Sequence, residues 1–205
     1  MGITIHYRGK INTTADISKL VDDLEDFANE LGWESQRMDE DWSKPNTAAI
    51  SIDGDIARVT GHAPLKGIML SPHKHCEPFV LTFNADGYLI GFVGMTLLAE
   101  GKTTPEKSSM STKTQFAPID VHITLVKLLQ YIKKRYISNL DVYDDGGYWD
   151  TGDINELKRR RGTIERAMDT LEDALSKIPR KQVENKSPED IADMIEKLIR
   201  KKFGK

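Results

Sequence analysis

The sequence predicts an α+β fold, a mainly antiparallel sheet with helices packed on one face, and three observations carry that prediction. Residues 3–9 alternate apolar and polar side chains with the period of a half-buried strand. Two stretches, 17–31 and 119–136, repeat apolar residues at helical spacing. Between them, short apolar and β-branched runs are divided by turn residues, as antiparallel strands require.

Taken in order, the first strand carries β-branched Ile3 and Ile5 on one face. Thr13 or Thr14 can cap the first helix, in which Ile17, Leu20, Val21, Leu24, Phe27, Ala28 and Leu31 face the core until Gly32 offers a left-handed stop. Asp22, Asp23, Glu25 and Asp26 line its wet side. A second strand is expected at 33–38, followed by a polar loop at 39–46. Runs 48–52 and 56–60 flank the turn Asp53-Gly54-Asp55, and 67–70 adds another short apolar run. The strongest local pattern is a hairpin whose arms, 78–83 and 88–97, enclose Asn84-Ala85-Asp86-Gly87. Residues 101–112 lack periodicity and read as a mobile polar loop. Pro118 suits the first turn of the second helix, which ends on Lys133, Lys134 and Arg135, and 140–143 makes a last strand. This order of elements resembles an elaborated ferredoxin-like two-layer sandwich over residues 3–145.

The α+β domain is expected to occupy residues 1–150, with a C-terminal amphipathic helical pair over 151–205. Asp153 and Glu156 form a capping-box pair, after which Ile154, Leu157, Ile164, Met168, Leu171, Leu175 and Ile178 fall alternately three and four apart, with Arg161 in the one slot that breaks the series. A second, shorter helix starts at Ser187-Pro188. The seam of Leu157, Ile164, Met168, Leu171 and Leu175 must pack on the α+β domain or on a second copy, which makes a homodimer one expectation.

Composition bounds the function. The 205 residues are 39% hydrophobic and 30% charged, a globular balance with a net charge of -3. With Cys76 as the only cysteine there is no intramolecular disulfide, and no apolar run is long enough for a membrane span, so the expectation is a cytoplasmic protein. The small acidic excess disfavours nucleic acid, whose binders neutralise phosphate with a basic surplus. Lys158-Arg159-Arg160-Arg161 is the one run that would suit nucleic acid or an acidic partner.

Two polar clusters are site candidates. Pro72-His73-Lys74-His75-Cys76-Glu77 places His73, His75 and Glu77 on one side of an extended segment, where a divalent transition metal would be the cofactor. The second, Asp141 to Asp153, is acidic, aromatic and glycine-rich; Tyr143 and Gly152 occupy positions where a calcium loop needs oxygen ligands, so an EF-hand is excluded. Asp144, Asp145 and Tyr148 remain as ligand-binding candidates, joined by Lys113 and Gln115 ahead of a helix N-terminus. No phosphate-binding glycine fingerprint or nucleophile elbow occurs, and no catalytic residue is assigned. The leading expectation is a non-catalytic binding or interaction protein; the alternative is a metal-assisted hydrolase built on His73, His75 and Glu77.

Overall fold

The computed structural model describes residues 2–53, 56–163 and 166. The chain divides into two compact units, one of residues 2–157 and one of 158–205 with residue 1. The first mixes helices with antiparallel strands, an α+β architecture. Its strands form three small sheets: β1 (Thr4–Arg8) lies between β7 (Met110–Lys113) and β8 (Asp141–Asp144), β5 (Lys66–Ser71) lies between β2 (Glu34–Asp39) and β6 (Phe79–Phe83), and β3 (Ala49–Asp53) pairs with β4 (Ile56–Thr60).

Alternation in β1 buries Ile5 and Tyr7 and leaves His6 and Arg8 on the other face. Helix α1 (Ile17–Leu31) buries Ile17, Leu20, Val21, Leu24 and Ala28, and it stops where Gly32 takes a left-handed conformation at φ 67°. Helix α3 (Ile119–Arg135) buries Leu125, Val126, Leu129 and Ile132, and the cations of its last turn lie where the helix dipole favours them. These residues join Ile68, Leu70, Phe79, Leu81 and Phe83 in one core.

Two stretches differ from the sequence expectation. The sequence pattern of 88–97 suits the second arm of a hairpin, yet only the start of the run pairs, through the bridges Lys10↔Tyr88 and Phe83↔Leu89; α2 (Phe92–Ala99) is a helix. Its residues are apolar on every side, so periodicity does not separate helix from strand, and burial of Met95 in a cluster with Ile90 and Leu65, with Phe92 and Leu98 packed against it, decides it. The end of the polar stretch expected as a mobile loop enters β7, because Thr112 is buried opposite Ile5 while Ser111 faces outward. Residues 154–163 are helical, as the capping pair implies. The seam residues Ile164, Met168, Leu171 and Leu175 and the second C-terminal helix lie outside the described residues. Among the described residues no helix is long and apolar enough to cross a membrane.

The outer edge of β6 is satisfied largely by side chains of the neighbouring sheet. Tyr7 Oη donates to Val80 O at 2.9 Å and accepts Val80 N–H at 3.2 Å. Thr112 Oγ1 donates to Pro78 O at 3.2 Å, and Ile90 N–H donates to Thr82 O at 3.0 Å. Burial is the largest influence on the Tyr7 phenol and drives its pKa well above the ordinary range, which keeps the hydroxyl neutral and able to donate. Tyr7→Phe preserves the ring and strands both polar groups of Val80, so it should cost about 1–3 kcal/mol in urea unfolding. An unchanged midpoint would show that the hydroxyl adds nothing.

Candidate functional site

The sheet β7-β1-β8 buries one face and opens the other. Its register places three cross-strand rows on the open face: Lys113, Thr4 and Asp145; Ser111, His6 and Tyr143; Ser109, Arg8 and Asp141. Tyr143 is 66% exposed, the most exposed of the large hydrophobic side chains among the described residues of this unit. Its ring centroid lies 6.0 Å from that of His6, and His6 Nε2 lies 3.8 Å from Asp145 Oδ2.

Arg8 makes two contacts to Asp141 Oδ2, from Nε at 2.9 Å and from Nη2 at 2.7 Å. Both side chains are more than half exposed, so the pair is worth at most about 1 kcal/mol and opens readily to an incoming charged or polar group. It stands between two shallow recesses. One, of about 210 Å³, is lined by His6, Tyr7, Arg8, Ser109, Asp141 and Tyr143. The other, of about 400 Å³, continues past Arg8 and Asp141 to Tyr88, Glu106 and Asn139. Arg8 and Lys113 are balanced by Asp141 and Asp145, so the face has no cationic surplus for a phosphate backbone.

The sequence-derived candidates divide between the two sides of this sheet. Lys113 and Asp145 reach the open face. Asp144, one residue from Asp145, turns inward as strand alternation dictates. There its Oδ2 lies 3.2 Å from His122 Nε2, while its oxygens accept N–H groups from Gly146 at 2.7 Å and Trp149 at 3.0 Å. Burial raises the Asp144 pKa, but the His122 hydrogen bond and charge, with the two amides, outweigh burial and hold it below the ordinary carboxylate range. His122 Nδ1 lies 2.8 Å from Thr114 Oγ1.

Hydroxyl, imidazole and carboxylate in a row invite comparison with a hydrolytic triad, yet the two ring nitrogens are exchanged relative to that arrangement. Thr114 is also only 1% exposed, which leaves its oxygen no access to a substrate. The row ties β7, α3 and β8 together. Gln115 is buried, and Tyr148 packs against the core with Trp149, over whose ring Lys133 Nζ lies at 5.7 Å.

The metal candidates lie along the segment before β6. His73 Nδ1 accepts the His75 N–H at 3.1 Å, and the two rings stand 5.4 Å apart. Glu77 is engaged elsewhere: its Oε2 accepts the Lys113 N–H at 2.9 Å, and its own N–H donates to Lys113 O at 3.0 Å. Among the described residues no group of three His, Cys, Asp or Glu side chains is arranged to hold a metal ion. Cys76 is half-buried, and burial pushes its thiol up to about 11, away from nucleophilic reactivity. Leu157 of the expected seam is 1% exposed, and a Cβ placed on Gly146 would lie 2.5 Å from its Cδ1, so this residue packs within the first unit.

Sequence reasoning passed over His6, Arg8, Ser111 and Tyr143. The alternation that reveals the buried side of β1 assigns His6 and Arg8 to the opposite side, but pairing with β7 and β8 is a long-range fact. Comparison with protein-family models, curated proteins and solved structures yields no match, so the open face is interpreted on its own geometry.

Proposed function

We propose that this chain is a non-catalytic interaction protein that binds a protein partner through the open face of β7-β1-β8, with the cytoplasm as its compartment. The observation that carries the reading is the exposed Tyr143, set beside His6 and next to the easily opened Arg8–Asp141 pair. Tyr and Arg are the side chains that most often dominate binding energy at protein interfaces. Shallow recesses and balanced charge suit a polar protein surface better than an enclosed small molecule or a nucleic acid. Burial of Thr114, His122 and Asp144 supports the non-catalytic assignment, since it closes this hydroxyl–imidazole–carboxylate row to substrate. The scaffold is read as an elaborated ferredoxin-like sandwich, on the strength of β1 lying between β7 and β8 with α1 and α3 following β1 and β7 in the chain.

A photo-crosslinking phenylalanine analogue in place of Tyr143, irradiated in extract of the source cells, should give an adduct of discrete mass. The same analogue at exposed Ala99 should not give it. Adding Arg8→Ala to the analogue-bearing chain should reduce the yield severalfold, as expected when a charged interface anchor worth about 1–2 kcal/mol is removed. The same adduct from both positions, or none from either, would overturn the assignment.

A further inference from the structure

We propose that the groove between α1 and α3 docks an amphipathic helix of another protein, one that carries cations along the flank facing α1. The groove has a volume of about 480 Å³; Phe27 and Leu128 form its floor, with Asp23, Asp26 and Glu30 along the α1 wall and Thr124, Lys127 and Tyr131 along the α3 wall. It lies on the helices, away from the open sheet face, and stands independently of the interaction proposed there.

The carboxylates of α1 indicate what the groove receives. Asp22 and Glu25 are taken by Arg37, at 2.7 and 2.6 Å. Asp23 accepts from Tyr131 Oη at 2.6 Å and from Tyr136 Oη, and Arg135 Nε lies 3.8 Å away. These contacts hold Asp23 in place, and they fix Tyr131 as part of the opposite wall. Asp26 and Glu30, one turn apart on the helix, are exposed on the α1 wall and make no ion pair among the described residues.

The apolar floor continues beyond the groove. Leu31, four residues after Phe27, is 47% exposed, and Phe27 meets Trp33 edge to face with centroids 5.7 Å apart. Apolar side chains at this spacing accept the i, i+3, i+4 stripe of a helix laid between two others. Charge then selects the occupant. Asp26 and Glu30 demand Lys or Arg on one flank, whereas Lys127 on the other wall demands neutral or acidic residues there.

The test uses the full chain and two labelled synthetic helices of about five turns, each with a Leu stripe and a neutral Gln flank. One carries Lys on its second flank and its twin carries Glu. The Lys helix should bind at least about tenfold more tightly than the Glu twin at low salt, and added salt should narrow the gap. In Asp26→Lys/Glu30→Lys the preference should reverse; both positions are exposed, and an unchanged circular dichroism spectrum would confirm the fold. Equal binding of the two helices, binding of neither, or a preference unaffected by the double substitution would overturn the proposal. Sedimentation supplies the remaining arm: if the chain dimerises and the double substitution abolishes the dimer, the occupant is a second copy and the proposed partner is wrong.

Discussion

Replacing Asp144 by alanine is expected to remove about 3–5 kcal/mol of unfolding free energy, the cost of leaving several buried hydrogen-bonding groups without their partner. The carboxylate accepts from the Gly146 and Trp149 amides and lies against His122, so its loss strands three polar groups, in α3, in α4 (Tyr148–Thr151) and in the turn that joins β8 to α4. The pH dependence follows from the depressed pKa. A carboxyl that holds its proton less tightly when folded contributes stability above its unfolded value of about 4, and that contribution is lost as pH falls through the folded value. Urea midpoints at pH 7 and pH 3 should therefore differ less between Asp144→Ala and the parent at the lower pH. A gap that stays constant would mean that the carboxylate's charge contributes nothing to the fold.

Gly67→Ala is the other substitution of large expected effect. Gly67 sits in β5 at φ 150°, and a Cβ there would fall 2.0 Å from Leu81 O and 2.8 Å from Thr82 Cα on the paired strand β6. Backbone atoms cannot rotate aside as a side chain can. The strained φ and the overpacking together should cost about 3–5 kcal/mol. Gly32 provides the comparison, because its φ is also positive at 67° but no atom lies within 4 Å of its Cβ position. Gly32→Ala should cost only the left-handed penalty of about 1–2 kcal/mol. Equal midpoints for the two variants would refute the steric explanation.

The sequence was most informative where one period dominated. In α1 and α3 the apolar residues recur every three or four positions with charged residues between them, and the buried sets match that spacing. At β1 and the residue before it, the strict alternation of Ile3, Ile5 and Tyr7 with polar neighbours left no second interpretation. Legibility failed in α2, where eight residues without a charge carry no contrast between faces, and in β7, four residues too short to show a period, which become a strand only because β1 supplies their partners. The candidate site divided for a similar reason. Asp144 and Asp145 look like one acidic cluster in the sequence, but strand geometry turns one toward His122 and the other toward His6. His122 itself, a lone imidazole on the apolar face of α3, was the available sign that a buried polar partner had to be nearby.

The edge of β6 has a consequence for the company this protein keeps. Unpaired strand edges recruit other chains, and many proteins guard them with charge, proline or a bulge. Here the guard is two hydroxyl oxygens, of Tyr7 in β1 and Thr112 in β7, borrowed from two strands that lie far away in the chain. Until β1 and β7 have come together, nothing in the segment around Val80 shields its own backbone. Resistance of this segment to intermolecular strand pairing is thus a property of the completed tertiary fold, present only while the two sheets stay together.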